Sequence, residues 1–245
     1  MTDLSVPTPT GHHRGSYGVD APYVPALLLF GAAVCVYFAA SSGQWLQWLP
    51  AIVVLGGSGF IYLYTTLRGK FVVWERLADG LDLRGDEQVL DVGCGRGMVL
   101  TAIARRLRTG RATGVDIWSS HDQSGNDMTT TAHNAELEGV SDRVALETGD
   151  MRSLPFADST FDVIVTNAAI HNLKAKDDRA KALAQMWRVT RSGGRLVLAD
   201  IAHTPEYEEV LISLGATDVT RRSAGIQGWF GNPFYATKVV TATKP

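Results

Sequence analysis

The sequence predicts an α/β domain, a mostly parallel sheet with helices on both faces, preceded by a hairpin of two apolar helices. Three observations predict it. From Ala21 through Leu67 there is no charged residue, whereas the rest of the chain is normally charged. From Asp86 onward, short apolar strand-like runs alternate with helical patterns, as in a parallel sheet covered on both faces. The stretch Val89-Leu90-Asp91-Val92-Gly93-Cys94-Gly95-Arg96-Gly97 leads from the first strand straight into a helix through a glycine loop.

Residues 1–20 are rich in Thr, Ser, Gly, Pro and His and read as a disordered lead. A hairpin follows over 21–68, its apolar runs Tyr23 to Ala40 and Trp48 to Leu67 separated by Ser41-Ser42-Gly43-Gln44. Each run is roughly 18–20 residues, about 27–30 Å as a helix, which matches the hydrocarbon thickness of a bilayer. Tyr23, Trp45, Trp48, Tyr62 and Tyr64 stand at the run ends, where amphipathic rings favour the membrane interface. Gly31, Cys35 and Ala39 on one helix, and Gly56, Gly57 and Gly59 on the other, permit close approach.

A transmembrane hairpin is therefore expected. A buried hairpin in a soluble protein would need a partner layer on every side. A signal peptide fits poorly, because the lead has almost no positive charge and two runs are present. Arg14, Arg68 and Lys70 flank the runs and the turn has no basic residue, so positive-inside bias puts both termini, and the domain, in the cytoplasm. Over 69–85, Phe71, Val72, Trp74, Leu77, Ala78 and Leu81 recur at helical spacing. This amphipathic helix either packs on the domain, lies in the membrane interface, or covers the active site.

The domain spans 86–245. Strands are expected at Gln88–Val92, Arg111–Val115, Val144–Thr148, Phe161–Thr166, Arg195–Ala199, Thr217–Arg221 and Ala236–Thr243. Helices are expected at Met98–Arg108, Met128–Glu138 and Asp178–Val189, with another starting at Thr204-Pro205, Thr as N-cap. The net charge of −2 offers no basic footprint, so no nucleic-acid partner is expected. The only two cysteines, Cys35 and Cys94, lack metal-ligand spacing, so neither a metal site nor a disulfide framework is expected.

A glycine loop opening a helix says only that a nucleotide-type ligand is bound. The nicotinamide fingerprint requires a small residue at position 98, where this chain has Met98. The third glycine instead comes one position early, at Gly97, with Asp91 two residues before the first.

Here the sequence resembles the class I S-adenosylmethionine-dependent methyltransferases, small-molecule type, whose first motif is commonly (V/L)LD(V/I)GCGxG. The resemblance covers about 86–245 and implies a doubly wound, Rossmann-like, mostly parallel seven-stranded sheet with S-adenosyl-L-methionine as cofactor. It implies that Gly93, Gly95 and Gly97 approach the methionyl part, with Asp91 nearby. Asp116, ending the second strand and followed by Ile117, corresponds to the acid that binds the ribose hydroxyls. Asp150 corresponds to the acid at the adenine amino group, with Met151 against the ring. Leu154 to Ile164 matches the lead into strand four, and Ser192-Gly193-Gly194 the turn before strand five. Trp118 either flanks the adenine or packs. Cys94 is read as a small packed residue.

Methyl transfer from a sulfonium is an in-line displacement, favoured by alignment and exclusion of water. A general base is needed only if the nucleophile carries a proton. After strand four the chain reads Thr166-Asn167-Ala168-Ala169-Ile170-His171-Asn172. Asn167 is assigned to the cofactor side. It is followed by Ala-Ala rather than the Pro-Pro common in enzymes that methylate nucleobase or glutamine amines. His171 is the candidate general base or acceptor-positioning group, with a merely packed imidazole as the alternative. His121, Asp122 and Asn126, and the aromatic loop Gly225–Pro233 with Trp229, Phe230 and Phe234, are candidates to wall the acceptor pocket. Anchor and aromatic loops together suggest a small-molecule or lipid acceptor: a quinone, phenol, lipid or hydrophobic thiol. The competing reading is a membrane-associated interaction protein that binds the cofactor without transferring its methyl group.

Overall fold

The computed structural model describes residues 14–119 and 126–245. Its sheet has seven strands in the order β3-β2-β1-β4-β5-β7-β6. They are β1 Gln88–Val92, β2 Arg111–Asp116, β3 Val144–Thr148, β4 Phe161–Asn167, β5 Thr190–Asp200, β6 Thr217–Ser223 and β7 Lys238–Thr243. The first five are mutually parallel, and β7 runs antiparallel to both β5 and β6. Strand β5 begins earlier than expected: Thr190 pairs with Phe161, and the Ser192–Gly194 turn is absorbed as a register shift.

Helices α4 (Met98–Ala104), α5 (Met128–Leu137), α6 (Lys176–Val189) and α7 (Thr204–Ser213) accompany the sheet. Alternate strand residues feed two cores. Val89, Val163, Val165 and Val197 join Leu100 and Ile103 of α4. Leu90, Ile164, Leu196 and Leu198 join Leu183 and Met186 of α6 and Tyr207 of α7. Helix α4 ends at Ala104, short of the expected Arg108. The N-cap of α7 is His203, in the left-handed region at φ 59, rather than Thr204.

The N-terminal third forms α1 (Tyr23–Ser42) and α2 (Trp45–Tyr64), both long and apolar enough to cross a membrane. Their mutual interface buries Ala32 and Ala39, and Gly59 lies against Leu29 and Leu28. Gly31 and Cys35 are only partly covered. From α2 the chain continues through one π-helical turn (Thr65–Gly69) into α3 (Lys70–Gly80). Helix α3 packs on the domain: Trp74, Ala78 and Leu81 are buried in the same core as Val89 and Leu100.

The disordered lead expected over 1–20 is corrected where it is described. Arg14 to Asp20 lies along α5 and the glycine loop. The Arg14 and Gly15 backbone N–H groups donate to Glu138, and that of Ser16 donates to Asn134. Tyr17 is buried, its hydroxyl 2.9 Å from Thr101 Oγ1 and donating to Glu138. Buried Tyr17, the backbone bonds to Glu138 and Asn134, and the Asp20 pair with Lys70 hold a segment whose composition reads as disordered.

Candidate active site

Strand order reverses between β1 and β4, the place where parallel α/β sheets open a crevice beyond their strand ends. A cavity of about 860 Å³ lies there. Asp91, Gly93, Gly95, Asp116, Ile117, Asp150, Met151, Asn167 and His171 all line it. Gly97 does not. It is the N-cap of α4, in the left-handed region at φ 82, and faces Thr131 of α5.

Only glycine fits at position 93. Its φ is 71°, and a Cβ there would lie 2.4 Å from Ala169 Cβ. This close approach brings the loop after β1 against the loop after β4. Ala168, also left-handed at φ 51, turns the chain sharply out of β4 toward His171.

Two carboxylates face the cavity from β1 and β2. Asp91 is buried, and neither of its oxygens has a hydrogen-bond partner. Burial, then the nearby charge of Asp116, pushes its carboxyl up to about 8. Such a group calls for a cationic or donor partner, and the ammonium of an amino-acid moiety supplies one. Asp116 accepts from the Gly95 N–H (2.9 Å), the Trp118 N–H (2.7 Å) and Asn126 Nδ2 (3.3 Å). Oδ1 accepts twice, and Oδ2, which accepts only from Gly95, keeps a second lone pair for a ligand hydroxyl. Asn126 lines the cavity beside it with an unpartnered Oδ1. The residues present therefore fit the cofactor that the glycine loop suggests. The Cys94 thiol is pushed well up by burial and by Asp91 and Asp116, so it stays protonated as a packing group.

Other candidates sit less simply. Asp150 is engaged by Arg152 at 2.6 Å, which lowers its carboxyl, and Arg152 also reaches Asp178 at 3.1 Å. Trp118 does not line the cavity; its indole N–H donates to Thr148. In the aromatic loop Phe230 and Tyr235 line the cavity, whereas Trp229 and Phe234 do not. His121 and Asp122 lie outside the described residues. Among the described residues, no cluster of three or more His, Cys, Asp or Glu could hold a metal ion.

Three features were not read from the sequence. His171 Nδ1 lies 2.6 Å from Oδ1 of Asp200, the buried last residue of β5. Asp200 also accepts from Tyr207 Oη, the Ile201 N–H and the His171 N–H. Trp74 Nε1 donates to Asn167 Oδ1 at 2.8 Å, tying α3 to the end of β4. Lys70, buried, pairs with Asp20 at 3.0 Å, and Asp20 also accepts from Thr66 Oγ1. The tryptophan periodicity of α3 carried the second; the others join positions too distant in sequence to leave a local signal.

The hairpin base forms the rest of the wall. Tyr23, Val24 and Leu28 of α1, and Ser58 and Tyr62 of α2, line the same cavity. The loop before β7 holds α2 there: Thr65 Oγ1 donates to the Trp229 carbonyl, and the Tyr62 and Phe230 rings meet at 5.3 Å. A Cβ on Gly69 would lie 2.1 Å from the Gln227 carbonyl oxygen, so helix and loop touch backbone to backbone.

Comparison with known proteins agrees with this geometry. Residues 90–198 match the family model described as a methyltransferase domain. The chain is 36% identical over 127 residues to the methyltransferase GfsG of Streptomyces halstedii, covering 52% of this chain and 42% of that one. It is 33% identical over 131 residues to a ubiquinone/menaquinone biosynthesis C-methyltransferase of Roseobacter denitrificans, covering 54% and 49%. The chain thus spans about half the length of these curated relatives. Among solved structures it resembles geranyl diphosphate methyltransferase in complex with geranyl diphosphate and sinefungin. That match has a TM-score of 0.56 and 18% identity over 70% of this chain and 77% of the other, a likeness of fold. The match over residues 90–198 takes in the sheet from β1 to β5, the part of the chain that carries the motif order and the switch-point cavity.

Proposed function

We propose that the chain is a membrane-anchored S-adenosylmethionine-dependent methyltransferase that methylates a small lipophilic acceptor, with its catalytic domain in the cytoplasm. One observation carries the reading: a single cavity is lined by the unpartnered Asp91, by Asp116, by His171 and by the base of the hairpin.

Asp91 would hold the cofactor's ammonium group, and Asp116 with Asn126 would accept its ribose hydroxyls. Met151 flanks the adenine, and Asp150 meets the adenine amino group once Arg152 yields it. When bound, S-adenosylmethionine supplies an electrophilic methyl on a sulfonium. Asp200 keeps the proton of His171 on Nδ1, which makes Nε2 the basic nitrogen. His171 Nε2 would then take the proton of an acceptor hydroxyl or thiol held beside it. Trp74 fixes the Asn167 side chain, and α3 helps close the cavity to water.

The hairpin surface supports membrane insertion. Phe30 and Phe60 are each 68% exposed, and Leu46 is 86% exposed, on helices with no charged residue. A contiguous apolar surface of this kind marks a membrane or protein contact. The orientation rests on Arg14 and Arg68 rather than Lys70, whose charge is matched by Asp20. A quinone C-methyltransferase and a geranyl diphosphate methyltransferase among the similar proteins favour a lipophilic acceptor.

Two experiments test this. Calorimetric titration of the purified full chain should give saturable binding of S-adenosylmethionine and none of NAD; the reverse would remove the reading. After alkaline extraction of expressing membranes, the chain should stay in the pellet. Release into the supernatant would remove the transmembrane part.

A further inference from the structure

The hairpin is placed to do more than anchor. Along α2 and into the π-helical turn that follows it, Ser58, Tyr62 and Thr65 recur at four and three residues, near the spacing that sets side chains on one helical face, and all three line the cavity. On α1, Val24 and Leu28 are likewise one turn apart and line it. Ser58 to Thr65 spans about 10 Å along the axis. The cavity therefore follows the hairpin for about two turns into the zone an inserted hairpin would give to lipid.

The end of this stretch facing the domain is polar. Tyr62 Oη donates to the Asp20 carbonyl, and Lys70, Asp20 and Thr66 form one closed network there. The deeper end is formed by Leu28 and Ser58, with Val24 one turn nearer the domain. On the domain side Phe230 and Gly231 hold α2 in place, with Gly231 against the Ser58 carbonyl. The cavity thus takes in both His171 and Leu28, and beyond Leu28 the hairpin carries no charged residue.

We infer that the base of the hairpin is the acceptor's tail subsite. The acceptor is an amphiphile with a proton-bearing head at His171 and an alkyl or isoprenoid tail between Val24, Leu28 and Ser58, entering sideways from the bilayer. This rests on the methyltransferase reading and deepens it. A hairpin that served only as an anchor would have no reason to line the reaction cavity.

The test uses the full chain in lipid nanodiscs and a para-alkylphenol carrying a diazirine in its tail. Illumination followed by peptide mapping should place the label on residues 24–28 and 58–62, and excess untagged long-tailed alkylphenol should compete it away while p-cresol does not. Leu28→Trp and Ser58→Trp should each weaken long-tail competition by about tenfold, the effect of excluding roughly two methylenes from the slot. S-adenosylhomocysteine affinity, measured in the same samples, reports separately on the cofactor site. If the homologue binds but the label spreads over all exposed hairpin residues without competition, the tail subsite is wrong and the methyltransferase reading stands. If the homologue fails to bind, that underlying reading fails instead. Because the label is mapped on the unaltered chain, the inference stays testable should a tryptophan variant misfold.

Discussion

The Nδ1 atom of His171 lies 2.6 Å from Oδ1 of Asp200, though the two are 29 positions apart in the chain. They meet because β4 and β5 are neighbours, so the loop leaving one strand passes over the end of the other. Asp200→Asn leaves an amide where the carboxylate stood and favours the wrong tautomer of His171. With an accepted acceptor, kcat should fall by about 10²-fold or more, the usual weight of a general base, with unchanged S-adenosylhomocysteine affinity. Equal, small losses in His171→Gln and Asp200→Asn would assign the pair a packing role.

Asp91 yields a prediction with opposite signs for stability and binding. Its carboxyl is raised to about 8 in the folded protein, above its unfolded value. The ligand-free fold therefore binds this proton more tightly than the unfolded chain does, and stability falls as pH rises from about 4 to about 8. Asp91→Asn should remove that loss and raise the apo melting temperature at pH 8 by roughly 2–4 °C or more, the shift of 1 kcal/mol in a chain of this size. The same variant should bind S-adenosylmethionine much less tightly. A variant that is both less stable at pH 8 and equally avid would refute this role for Asp91.

The proton on Asp91 also couples to the cofactor. Binding an ammonium group favours the carboxylate, so affinity should rise with pH below about 8, by up to about tenfold per unit. Calorimetry in buffers of different ionisation enthalpy should detect a proton released to the buffer at pH 7. A flat pH profile with no proton release would mean the carboxylate is already ionised or does not meet the ligand's charge.

Trp74, fully buried, donates to the half-buried Asn167. Trp74→Phe keeps an aromatic ring in the core but leaves Asn167 Oδ1 without its donor. The expected loss is about 1–3 kcal/mol, measured by thermal or denaturant unfolding. A neutral result would indicate that water replaces the indole.

The lead predicts a kinetic effect. Tyr17 lines the cavity while hydrogen-bonded to Thr101 and Glu138, and its hydroxyl is pushed up chiefly by burial, so it stays protonated. Tyr17→Ala should speed S-adenosylhomocysteine release by about tenfold in stopped-flow displacement, with a smaller change in the on-rate. Equal release rates would show that the lead packs without covering the cofactor.

These residues mark what the sequence could and could not disclose. That Asp91, Gly93, Gly95 and Asp116 come to one cavity was legible, because one strand, one loop and the next strand end place them and local spacing carries that order. The seven strands were legible from alternation, though β5 starts at Thr190 because a bulge, not a turn, carries Ser192 to Gly194. Asp200 left no signal, since its partner lies on another loop. Arg14 to Asp20 was misread because composition does not register anchors such as Tyr17 and Asp20. Gly97 was placed with the ligand by motif position, whereas its left-handed backbone serves the start of α4. That α3 belongs to the domain core follows from Trp74, which periodicity alone could equally have laid in a membrane interface.

The central claim is that this cavity moves a methyl group from S-adenosylmethionine to a lipophilic acceptor. Membranes containing the full chain, incubated with methyl-labelled S-adenosylmethionine and extracted with organic solvent, test it most directly. The account predicts label in the organic phase that depends on the protein and is lost with Asp116→Ala. Saturable cofactor binding with no label in that phase, across membranes supplemented with quinols, phenols, thiols and lipids, would contradict it.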